Sequence, residues 1–183
     1  MNFLGVYLVA CLLLAVAGAA KTARPADTAR AVTVATGFGS LAAVAAVVRV
    51  GAALEAALGT VAALWPRPVP AGAVAASYTA FAVFTGWVRH RGGPLATCGC
   101  FGTADTPATR LHVAVDVTLA AAAGAAAAAG WSGDLFGLLA RQPAAGAPLV
   151  GASLLGTGLV FLVLSAGGKL HATRRLVAGA PPP

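Results

Sequence analysis

Long apolar runs broken by short polar stretches make up almost the whole chain. Five of them, 3–20, 42–65, 69–88, 111–130 and 149–168, come close to the roughly 20 residues a helix needs to cross the hydrocarbon core of a bilayer. A backbone in lipid must satisfy its amides within its own segment, so each run predicts a helix. The first run carries no Lys or Arg before it and has Lys21, Arg24 and Arg30 after it, which reads as a membrane anchor rather than a cleaved signal. The apolar stretch 31–65 is too long for one perpendicular span and too short for two with a turn, so its first part reads as a lead-in to a span at 42–65. "WPRPVP" (65–70) ends that span, because each proline removes an amide donor and restricts the residue before it. Trp65 and Trp87 then fall where amphipathic rings favour the membrane interface. The fourth run is nearly pure alanine over 120–129, and the fifth places Ala152 and Gly156 at small-residue spacing. Both patterns allow neighbouring helix backbones to approach closely.

The expected architecture is an all-α integral membrane protein with a four-helix transmembrane core and a fifth, C-terminal transmembrane helix. Residues 1–130 form the core domain, 131–168 a connector and the fifth helix, and 169–183 a basic tail ending in three prolines. Composition agrees. Of 183 residues, 59% are hydrophobic and 9% charged, with a mean hydropathy of +0.86, too few charges to clothe a water-soluble surface. The net charge of +7 does not point to nucleic acid, since there is no basic stripe and no interleaved aromatic platform. With five crossings, nine lysines and arginines collect on the side bearing Lys21, Arg89 and the tail, against Arg67 and Arg141 opposite. The positive-inside rule then places the amino terminus outside and the 89–110 connector in the cytoplasm.

That connector holds the chain's distinctive chemistry, "TCGCFG" at 97–102. Cys98 and Cys100 can share a metal, close a strained ring, or exchange disulfides with a partner. Gly99 helps in each case, because a residue without Cβ tolerates the dihedrals that turn two neighbouring thiols to one side. Zinc is the weaker reading, since its cysteines are commonly spaced two to four apart and a closed site needs four ligands. A disulfide across one residue is strained, and strained disulfides are the readily reduced ones. Downstream, Asp105 or Thr106 is expected to cap the fourth helix with Pro107 at its first position. His112 and Asp116 follow at i, i+4 spacing, on one face, where they are candidates to orient one another and move a thiol proton. The plainer alternative is a hydrated polar patch. Cys11, in mid-span, reads as an inert buried hydrophobe.

Arg49 and Glu55 are the charges a bilayer tolerates least. Six positions apart on a helix they point in different directions, so Arg49 is expected to snorkel and Glu55 to face the bundle and meet a hydroxyl, an amide or a cation such as Lys21. Glu55 then serves either as an interhelical tie or as a proton or substrate site.

"AGAAK" (17–21), "LEAALG" (54–59) and "CGCFG" (98–102) together resemble the methylamine utilisation protein MauE family, related to the DoxX-like membrane proteins. The resemblance covers about residues 1–130. It implies a multi-pass protein of the inner (plasma) membrane that serves processing or export of a disulfide-rich exported subunit such as the methylamine dehydrogenase small subunit. It also implies that Cys98 and Cys100 match the family's cysteines, and Lys21 and Glu55 its polar positions in the first two spans. The expected function is thiol-disulfide exchange through Cys98 and Cys100 with a thioredoxin-like protein and an exported client. No small-molecule catalysis, cofactor or metal is expected. The competing expectations are a small permease using Glu55 and Lys21, with the cysteines only structural, and a scaffold within the bilayer.

Overall fold

In the computed structural model of the chain, residues 2–37, 39–90 and 109–177 are described, with side chains for 4–37, 39–90 and 109–166. Seven helices run in order among them: α1 (Asn2–Ala23), α2 (Pro25–Thr36), α3 (Leu41–Leu64), α4 (Pro68–His90), α5 (Arg110–Ala128), α6 (Leu135–Arg141) and α7 (Pro143–Val177). No strand occurs among the described residues. Five helices, α1, α3, α4, α5 and α7, are long and apolar enough to cross a membrane. The protein is a multi-pass helical membrane protein.

The spans at 42–65 and 69–88 agree with α3 and α4 to within a few residues, because Ser40 caps one end of α3 and the prolines stop the other. Ser40 Oγ accepts from the Ala43 amide at 3.3 Å, and the Trp65 amide closes the last turn onto Val61 O at 2.9 Å. Three boundaries differ from expectation. The lead-in before α3 contains a helix of its own, α2, with Pro25 in its first turn, Asp27 beside it, and Gly37 at φ 71° turning the chain after Thr36. The stretch 131–148 is not a plain connector, since Asp134 accepts from the Gly137 amide and starts the short helix α6. Helix α7 outruns the expected 149–168 at both ends and reaches Val177. At about 1.5 Å per residue its 35 residues exceed a 30 Å hydrocarbon core, so its end projects beyond the bilayer.

The bundle is organised around α1. Half of its apolar window is buried, against 6% for α3, so α1 is the hub and α3 turns most of its surface to lipid. Tyr7, Cys11 and Leu14 of α1 pack with Ala62 and Ala63 of α3, Val74 and Tyr78 of α4, and Leu119 and Ala123 of α5. Cys11 is fully buried, as its place in the sequence suggests. Two tyrosines bind α1 to its neighbours through main-chain carbonyls: Tyr7 donates to Ala62 O at 3.0 Å and Tyr78 to Ala10 O at 2.8 Å. Each removes a buried hydroxyl from the list of groups that lipid cannot satisfy.

The tightest contacts of a described glycine with another helix's backbone lie between α1 and α3. A Cβ on Gly18 would stand 2.6 Å from Ala52 O and from the Ala56 amide nitrogen, and one on Gly59 2.5 Å from Cys11 O. The alanine run of α5 and Gly156 of α7 approach their neighbours less tightly, with nearest side-chain atoms at 4.0 Å for Gly124 and 3.1 Å for Gly156. The sequence pattern drew attention to α5 and α7, whereas the backbone contact is made by two isolated glycines on α1 and α3.

Candidate functional site

The antiparallel α1–α3 contact places the last turn of α1 beside the middle of α3. There Lys21, 6% exposed, forms an ion pair with Oε2 of Glu55. Glu55 thus meets a basic partner on another helix. Arg49, six residues earlier on α3, is exposed. The Lys21 ammonium also sits 4.6 Å from the centroid of the Phe81 ring on α4, a cation–π contact that gives the charge a second favourable surface away from water. Lys21 entered the positive-inside tally as a loop charge. Buried and paired, it drops out of that tally, and the bias rests on the remaining residues.

On its other side Lys21 borders a void of about 30 Å3 that Tyr78, Phe81, His112 and Asp116 also line. That space is on the scale of a water molecule. Lys21 therefore stands between an acid on α3 and a His–Asp pair on α5, and the structure gathers four of the six sequence-predicted site residues into one polar layer. Cys98 and Cys100 lie outside the described residues. The layer lies at the end of the bundle where α4 finishes at His90 and α5 begins at Arg110, so the chain segment bearing the cysteines leaves and returns at this end.

The start of α5 corrects the expected cap. Thr109 is extended, at φ −101° and ψ 165°, and is the N-cap, so α5 starts at Arg110. Asp105, Thr106 and Pro107 lie outside the described residues. His112 becomes the third residue of the helix and closes a capping box, with the Thr109 amide donating to its Nδ1 at 3.4 Å and the Thr109 hydroxyl 2.9 Å from the same nitrogen. An Nδ1 that accepts an amide proton leaves the neutral ring's own proton on Nε2. His112, 4% exposed, thus has a structural duty at Nδ1 that its sequence spacing from Asp116 does not reveal.

A cleft of about 280 Å3 opens on the Glu55 side of Lys21, bounded by Thr28 and Val32 of α2, Gly51 and Ala52 of α3, and Phe81, Phe84 and Thr85 of α4. Sequence reasoning missed the α4 residues. Phe81 and Phe84 at i, i+3 spacing carried a weak signal, and Thr85 carried none, because only the fold shows which way its hydroxyl turns. Among the described residues no cluster of His, Cys, Asp and Glu has the makings of a metal site.

The family model for methylamine utilisation protein MauE matches residues 2–131. The chain belongs to the MauE family. The match runs from α1 through α5 and takes in the polar layer and the "CGCFG" pentapeptide, leaving α6 and α7 as additions to the MauE region. No curated protein and no solved structure matches the chain. Within the MauE region, Lys21 and Glu55 tie the first two spanning helices, and α4 and α5 frame the connector.

Proposed function

We propose that this MauE-family protein sits in the inner (plasma) membrane and serves maturation of an exported, disulfide-containing protein, of the kind represented by the methylamine dehydrogenase small subunit, by exchanging disulfides through Cys98 and Cys100. The observation that carries the reading is the family match across residues 2–131, which embraces both cysteines. It is supported by the placement of the polar layer at the end of the bundle where α4 and α5 meet the connector.

The exchange needs no cofactor. A thiolate of the pair attacks one sulfur of a thioredoxin-like partner's disulfide, and the partner's other sulfur leaves as a thiolate. The second thiol of the pair then displaces the bound sulfur and closes the Cys98–Cys100 disulfide. Two electrons and both thiol protons pass to the partner, which is left as a dithiol. Run in reverse with a client dithiol, the closed pair is reduced to two thiols and the client gains its disulfide. The redox poise of the compartment facing the connector sets the direction.

The permease reading places Lys21 and Glu55 along a path, whereas the two groups hold each other across α1 and α3. That mutual engagement favours an interhelical tie. The test is client maturation in cells carrying Cys98→Ser/Cys100→Ser. The exported client is expected to accumulate with free thiols while the membrane protein stays at wild-type abundance. Full client oxidation in the double variant contradicts the proposal.

A further inference from the structure

Thr85 behaves unlike seven other serines and threonines of the spanning helices. Thr22, Thr60, Ser77, Thr79, Thr118, Ser153 and Thr157 each donate to the carbonyl four residues back, at 2.8–3.0 Å, which is how such side chains satisfy themselves in lipid. Thr85 is 1% exposed, and its Oγ1 has no hydrogen-bond partner among the described residues. A buried hydroxyl left in that state costs about 1–3 kcal/mol. It lines the same cleft as Lys21 and Glu55.

The chemistry of the cleft narrows what would use it. Its polar pole is the Lys21–Glu55 pair, which balances its own charge, so a neutral guest is favoured, and a carboxylate would meet Glu55. An ammonium carries three donors and Glu55 Oε2 takes one of them, so Lys21 and Thr85 together offer donors to an acceptor oxygen. The rest of the wall is apolar, with the rings of Phe81 and Phe84 on one side and Val48 and Ala52 on the other. Ala80, at the rim, is exposed midway along a spanning helix, which opens the cleft sideways to the bilayer. A volume of about 280 Å3 suits a single ring with its tail left in lipid.

We propose that this cleft binds a neutral, lipid-soluble ring carbonyl of the quinone class, with a carbonyl oxygen on Thr85 and Lys21 and the ring against Phe81 and Phe84. Occupation of the cleft does not depend on the cysteines being redox-active.

The test is equilibrium binding of a radiolabelled short-alkyl benzoquinone to the full chain in lipid nanodiscs. An alkylbenzene without carbonyls and a fatty-acid methyl ester of matching length serve as competitors. The wild-type protein is expected to bind the quinone saturably, with neither competitor displacing it at equal concentration. Thr85→Val keeps the shape and removes the hydroxyl, so it is expected to weaken binding roughly two- to tenfold, the worth of one hydrogen bond. A Cβ on Gly51, in the cleft wall, meets nothing within 4 Å, so Gly51→Leu starts its side chain without a clash and extends it toward the cleft. It is expected to abolish saturable binding at an unchanged melting temperature. Binding that both variants leave intact overturns the proposal. So does equal displacement by the alkylbenzene or by the ester, which reports burial of any apolar chain.

Discussion

Glu55→Ala is expected to lower the stability of the bundle by up to about 3–5 kcal/mol, because it takes the ion-pair partner from the buried Lys21 ammonium, whose other surroundings are Phe81, Tyr78, apolar side chains and, across a small void, His112 and Asp116. The magnitude comes from the unpaired charge rather than from the pair's net worth. Removing both partners together, as in Lys21→Met/Glu55→Leu, is therefore expected to recover most of the loss, since apolar replacements of similar volume leave nothing charged to desolvate. Thermal unfolding of the four proteins of this cycle in one detergent measures the coupling directly. If the double variant is as unstable as the sum of the two single variants, the two groups do not act as a pair.

Comparably large effects are expected at the α1–α3 crossing. Gly59→Ala places a methyl group 2.5 Å from Cys11 O and 2.6 Å from the Ala15 amide nitrogen, and these are backbone atoms that no rotamer change can move aside. Overpacking of this kind costs about 1–3 kcal/mol, and a rigid backbone contact puts Gly59 at the upper end. Gly18→Ala meets Ala52 O and the Ala56 nitrogen at 2.6 Å and is expected to match it. Gly86→Ala on α4 is the control, because a Cβ there has nothing within 4 Å, and the substitution is expected to be neutral or mildly stabilising. A melting-temperature series in which all three variants behave alike contradicts the close α1–α3 contact. The crossing also sets the site, since separating these helices moves Lys21 away from Glu55.

The extent to which the fold was legible follows from what each signal encodes. The spanning helices could be read because bilayer thickness fixes a length and because prolines at 66, 68 and 70 punctuate α3 and α4. Helix α2 was legible in principle, with Pro25 at one end and Gly37 at the other, but the apolar run around it masked a short amphipathic segment. A charge forced into lipid needs a partner, so Glu55 announced that one existed, and Lys21, at the end of the first span, was one candidate for it. The α1–α3 crossing was hidden, because a glycine's value there depends on which helix faces it. The start of α5 was misplaced for a local reason. Pro107 is a good first residue for a helix, but the box between Thr109 and His112 caps α5, which starts at Arg110. Thr85 left no trace in the sequence, since five of the six threonines with described side chains in the spanning helices simply bond back to their own helix.

Disulfide exchange through Cys98 and Cys100 predicts a covalent intermediate, and trapping it is the most direct measurement. Cells carrying Cys98→Ser or Cys100→Ser are quenched in acid, alkylated and run on a non-reducing gel, with Cys98→Ser/Cys100→Ser as the reference in which only buried Cys11 remains. At least one single variant is expected to show a higher-mass species that collapses on reduction and is absent from the reference. If both single variants run like the double variant, the pair does not exchange disulfides with any partner.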